Sequence, residues 1–107
     1  DQRAEAFLRE VFQRAPAGAL IATRSDRDTF ALWYGRFTLR ERTDLIVVVE
    51  PLLSYGWYRE NLRAVYTGLV VPDVSTLNAD RLAASNGRAL CRTRLDAEPP
   101  LSCTPAH

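Results

Sequence analysis

The sequence predicts an α/β domain: a small three-stranded parallel sheet with helices on both faces, half-Rossmann-like, in the order α-β-α-β-α-α-β. Three observations carry this expectation. The run "DLIVVVEP", residues 44–51, is continuous and β-branched rather than alternating, which marks a strand covered on both faces. Two further apolar runs, "GALIAT" and "RALCRT", are short and bounded by turn residues. The segments between the three have helical spacing, and strands separated by helices pair in parallel through crossovers.

The elements follow in order. Ala4, Phe7, Leu8, Val11, Phe12 and Ala15 recur at helical spacing, with charged residues between them, and the helix must end before Pro16. After "GALIAT" a second helix is expected from Asp26 to Arg40. Phe30, Trp33, Tyr34 and Phe37 then share one face, with Phe30, Trp33 and Phe37 expected in the core. Ser54 is positioned to cap a third helix reaching Tyr66, with Tyr58, Leu62 and Val65 inward and Gly68 beyond its end. Val70 and Val71 suit a short extended piece. Thr76 is positioned to cap a fourth helix that stops at Asn86-Gly87. Residues 1–95 form the domain, and residues 96–107, with three prolines and no periodicity, form an irregular tail.

Composition excludes several classes. A chain of 107 residues fits one domain. A net charge of +1 offers no basic stripe for nucleic acid. The longest apolar run, "LIVVV", is far short of the roughly 20 residues that span a bilayer. All 14 basic residues are arginine, which fits either a GC-rich genome or a heat-adapted source. The absence of methionine suggests a segment of a longer chain. Cys91 and Cys103 either close a small loop or remain free thiols; two cysteines decide neither the pairing nor the compartment.

Candidate chemistry is sparse. Asp26 and Asp28 follow the first strand, at the sheet edge where α/β proteins place ligands, and a D-x-D pair there can hold a divalent cation through oxygen. The competing explanation is local: Ser25 and Asp28 have capping-box spacing, and Asp26 suits the positive end of a helix. Glu50 closes the second strand at the same edge and can join them. Tyr55 and Trp57 are expected exposed, and amphipathic rings suit carbohydrate sites and membrane interfaces. No glycine-rich phosphate loop follows the first strand, so no nucleotide cofactor is expected. The single histidine, His107, is terminal, and no nucleophile-base set or metal-spaced Cys/His set occurs. No catalytic residues are assigned and no enzyme activity is expected of this chain itself.

Two blocks, "GALIATRSDRDTFALWYGRF" and "RTDLIVVVEPLLSYGWYRENL", resemble the segment that follows the transmembrane helices in DUF2723 proteins, large bacterial membrane proteins of the GT-C, dolichyl-phosphate-mannose-mannosyltransferase-like type. The matching positions are Asp26, Asp28, Thr29, Phe30, Leu32, Trp33 and Tyr34, then Arg42, Asp44, Leu52, Leu53, Trp57 and Tyr58. Arg24, Ser25, Ala31 and Ser54 depart from the pattern. The resemblance implies an extracytoplasmic accessory domain of a membrane glycosyltransferase-like protein, outside the part that carries the catalytic acid. The implied partners are the transmembrane region of the parent chain and a glycan or lipid-linked sugar. Asp26, Asp28, Glu50, Tyr55 and Trp57 are the residues expected to meet a ligand. The rival readings are a metal-dependent sugar- or nucleotide-sugar-binding domain and a plain protein-interaction module.

Overall fold

A computed structural model describes residues 2–106; His107 lies outside them. The elements are α1 (Gln2–Arg14), β1 (Leu20–Thr23), α2 (Asp26–Trp33), β2 (Ile46–Val49), α3 (Gly56–Val65), α4 (Ala79–Ser85), β3 (Leu90–Thr93) and β4 (Leu101–Thr104). A π-helical turn, Tyr34–Thr38, continues α2, and a 3₁₀ turn, Glu50–Ser54, leads from β2 towards α3.

The four strands form one mixed sheet in the order β2-β1-β3-β4. β1 pairs in parallel with β2 (Leu20 opposite Ile46) and with β3 (Leu20 opposite Leu90). The three expected strands are therefore present and parallel. The sheet has a fourth strand, however, antiparallel and drawn from the proline-rich segment read as irregular. Its pattern was invisible because only Leu101 of β4 is buried; the other three side chains are exposed.

Side-chain alternation splits the core in two. Leu20, Ala22, Ile46, Val48 and Leu90 pack with Leu53, Tyr58, Leu62 and Leu82 of the α3 and α4 side. Ile21, Val47 and Cys91 point the other way, into Phe7, Leu8, Val11 and Phe12 of α1 and Leu32 of α2. This two-faced burial explains the unbroken apolar run of β2.

The second helix differs from its expected form. Its buried side chains are Asp28, Thr29 and Leu32, followed by Gly35, whereas Phe30, Tyr34 and Phe37 are exposed and Trp33 is half-buried. The helix is rotated because α1 lies close against it. A Cβ on Gly35 would stand 2.6 Å from Leu8 Cδ1 and 2.7 Å from Phe12 Cε2, so the contact face admits only small groups. Phe30, Tyr34 and Phe37 are left outside, and Trp33 packs only in part against the core. The α-helix also ends at Trp33, and the Leu39 N–H bonds the Tyr34 carbonyl, an i to i+5 closure.

Two expected caps moved. Ser54 falls in the 3₁₀ turn, and α3 begins after Tyr55 without a side-chain cap. The cap of α4 is Asn78, whose Oδ1 accepts the Arg81 N–H at 2.8 Å, not Thr76. The helix does stop at Asn86-Gly87, with Gly87 at φ 60°. Val70 and Val71 join no strand; Asn86 instead bonds both the N–H and the carbonyl of Val70. Val65 is exposed rather than inward.

Candidate functional site

Because β2 lies on one side of β1 and β3 on the other, the chain reverses its winding between β1 and β3. In open α/β sheets the crevice outside the carboxyl ends of such a strand pair is the usual ligand site. Here it is a cleft of about 550 Å³ lined by Arg24, Ser25, Arg27 and Asp28 on one side and Thr93 to Ala97 on the other.

Asp28 sits at its base and is buried. Thr93 Oγ1 donates to its Oδ2 at 2.8 Å, whereas Oδ1 has no hydrogen-bond partner among the described residues. Ser25 Oγ accepts the Asp28 N–H at 3.2 Å, so the expected capping interaction exists in one direction. The return arm is missing, because the Asp28 side chain is turned towards β3. Below it, Thr29 Oγ1 bonds Thr23 Oγ1 at 2.6 Å and donates to the Ser25 carbonyl at 2.8 Å. The helix start is thus tied to β1 and β3 by buried polar contacts. Asp26 is exposed in the first turn of α2.

Glu50 has different partners. Its carboxylate accepts the Ala79 N–H at 3.1 Å, the first of α4, and Arg92 at 3.0 Å, with Arg24 at 3.6 Å. Burial alone would raise its pKa, but the Arg92 hydrogen bond and the Ala79 N–H prevail and hold it low. Glu50 is therefore an ionised cap for α4 cross-linked to β3, and it does not line the cleft. Among the described residues no group of three or more His, Cys, Asp or Glu side chains is arranged to hold a metal ion.

Tyr55 and Trp57 are exposed, as expected, and their rings lie 6.2 Å apart at the start of α3. They do not line the cleft. The arginines of its rim, Arg24, Arg27 and Arg94, were not anticipated as site residues. Their only sequence signal is position: each lies just beyond a strand or in the first turn of α2.

The R-x-D element also acquires a structural meaning. Arg42 binds Asp44 through Nε at 3.0 Å and Nη2 at 2.9 Å, while its guanidinium also donates to the Phe12, Ala15 and Pro16 carbonyls. Asp44 in turn accepts the Gly18 N–H at 2.8 Å. The pair closes the carboxyl end of α1 and fixes the turn into β1. The Arg42 hydrogen bond holds the Asp44 carboxyl down at about 2.

Fold and site together define a small α/β domain with a disulfide-pinned mixed sheet and a ligand-sized cleft at its winding reversal. The family model TMEM260-associated domain 2 matches residues 4–90, and the chain belongs to that family. Neither the curated proteins nor the solved structures contain a match.

Proposed function

We propose that this domain is a non-catalytic accessory domain of a membrane glycosyltransferase-like protein, on the extracytoplasmic side, which packs on the transmembrane bundle or helps to hold a glycan or lipid-linked acceptor. The observation that carries the reading is the family match, whose description, TMEM260-associated domain, supports association with a membrane protein. The finer assignment, to a bacterial parent of the DUF2723, GT-C type, rests on the residue blocks around Asp26–Tyr34 and Arg42–Tyr58.

Two structural features support the reading. A disulfide, Cys91–Cys103, suits an oxidising, extracytoplasmic compartment. The cleft at the end of β1 and β3 combines Arg24, Arg27 and Arg94 with Ser25, Asp28, Thr93 and Asp96, and suits a polar ligand. Deletion of residues 4–90 from the intact protein should reduce glycosyl transfer, membrane assembly or both. Unchanged values for the two would remove the proposal.

The metal-dependent alternative is less well supported, since Asp28 is committed to Thr93 and Glu50 to α4. Calorimetric titration with Mn²⁺ and Mg²⁺, with and without nucleotide-sugars, separates the two. Heat of binding that vanishes in a folded Asp26→Ala variant would favour the metal.

A further inference from the structure

Among the described residues, every exposed large apolar side chain except Val70 belongs to residues 30–39 or 55–65. These two stretches flank one open groove of about 280 Å³, with Trp33 and Phe37 on one wall, Tyr58, Asn61 and Val65 on the other, and Val47 of β2 among its lining residues. Ring contacts extend both walls outward: Phe30 lies 5.9 Å from Trp33, and Trp57 lies 5.8 Å from Tyr58. Phe30 is 61% and Trp57 62% exposed, so the outermost rings project into solvent. A contiguous apolar surface of this kind marks a docking face.

Strand addition is not its use. β2 is the sheet edge, but the Tyr66 and Tyr58 hydroxyls accept its outward Val47 and Val49 N–H groups at 3.1 and 2.8 Å. An incoming strand would find those donors taken. The charge pattern narrows the choice further. From Thr29 to Arg40 the only charged residues are Arg36 and Arg40, and Arg27 stands one turn before Phe30. The Arg36 guanidinium lies over the Phe37 ring, 5.0 Å from its centre. Asp26 and Glu60 are the acids on the adjoining turns, and Glu41 is already paired with Arg9. Arg36 Nε also donates to the Leu45 carbonyl, but among the described residues Arg27, Arg36 and Arg40 form no ion pair with an acid. Amphipathic Trp and Tyr rings beside such arginines match the headgroup layer of a membrane, where rings lie between the apolar and wet zones and cations meet anionic lipid.

We propose that the α2–α3 aromatic face docks on an anionic lipid surface, with the Phe30 and Trp57 rings inserted at headgroup level. This deepens the reading that the domain sits beside a membrane and rests on it. Both tryptophans of the chain, Trp33 and Trp57, lie on the face, so intrinsic fluorescence reports directly on it.

The test mixes this chain with vesicles of phosphatidylcholine alone or with phosphatidylglycerol. The expected result is a blue shift of tryptophan emission and quenching by acyl-chain-brominated lipid, stronger with phosphatidylglycerol. A Phe30→Ser, Trp57→Ala double variant, altered only at exposed sites, should fold normally by circular dichroism and lose roughly tenfold or more in partitioning. Arg40→Glu should weaken binding to the anionic vesicles by about fivefold or more and leave the zwitterionic case unaffected. Absence of a vesicle-dependent shift overturns the proposal. So does a shift that follows protein concentration alone, with sedimentation showing a dimer, because the occupant is then a second copy. If vesicle binding fails while the deletion in the intact protein still impairs transfer or assembly, only the lipid face falls; if binding persists while the deletion is silent, only the accessory role does.

Discussion

Asp28 illustrates how a residue chosen for chemistry can also be an internal tie. Its Oδ2 depends on Thr93, so Thr93→Val would leave a buried carboxylate without any side-chain donor. A loss of about 1–3 kcal/mol is expected in denaturant unfolding. Ser25→Ala removes only the cap and should lower stability by about 0.5–2 kcal/mol. A Thr93→Val protein as stable as the parent would show that Asp28 is not held by β3. Asp44 carries a pH signature. Because Arg42 lowers its carboxyl from 3.8 to about 2, its contribution is present above about pH 4 and is lost as pH falls through 2. With the side chain 39% exposed, screening limits the effect to about 1 kcal/mol or less. Asp44→Asn should flatten the acid limb of the stability curve in that window.

At the scale of elements, the α1–α2 contact and the β2 edge are the informative cases. Gly35→Ala would press a methyl group into Leu8 and Phe12 and should destabilise the fold by about 1–3 kcal/mol. A neutral result would mean that the two helices can separate. The β2 edge depends on tyrosine hydroxyls. Tyr58→Phe leaves the Val49 N–H without its acceptor, and a loss of about 1–2 kcal/mol is expected in chemical denaturation. Burial pushes the Tyr58 hydroxyl up to about 12. Its stabilisation is therefore complete below about pH 10 and fades as pH rises towards 12, since the unfolded chain ionises first. The phenylalanine variant should lack that part of the alkaline decline.

Across the whole molecule, β4 is joined to the sheet through one pairing, with β3, and Cys91–Cys103 crosses that pairing directly. The bond links positions separated by 12 residues. Reduction, or replacement of both cysteines by serine, should lower stability by about 2–4 kcal/mol, read as a lower melting temperature. An unchanged melting temperature would mean that β4 is held by Leu101 packing and backbone bonds alone. Loss of β4 would also disturb the cleft, because residues 93–97 that line it form the connection from β3 towards β4.

The three parallel strands and the existence of four helices were legible because local pattern decides them: a β-branched run covered on both sides cannot look amphipathic, and α1 repeats at helical spacing. The position of the candidate cleft was legible too, since a loop after the first strand of such a sheet must lie at its carboxyl edge. The buried face of α2 was not. Hydrophobic spacing favoured Phe30, Trp33 and Phe37 as core, yet Gly35 packs against α1, which leaves Phe30 and Phe37 exposed and Trp33 half-buried, a choice made only by the distance between two helices. The disulfide and β4 were equally hidden, because a short, mostly exposed edge strand has no apolar signature until its partner is present. Glu50 needed the α4 terminus, which lies 29 residues away, to become a cap rather than a ligand. The sequence by itself determined which segments fold and in what order; the packing of those segments decided which side chains remained outside to meet a partner.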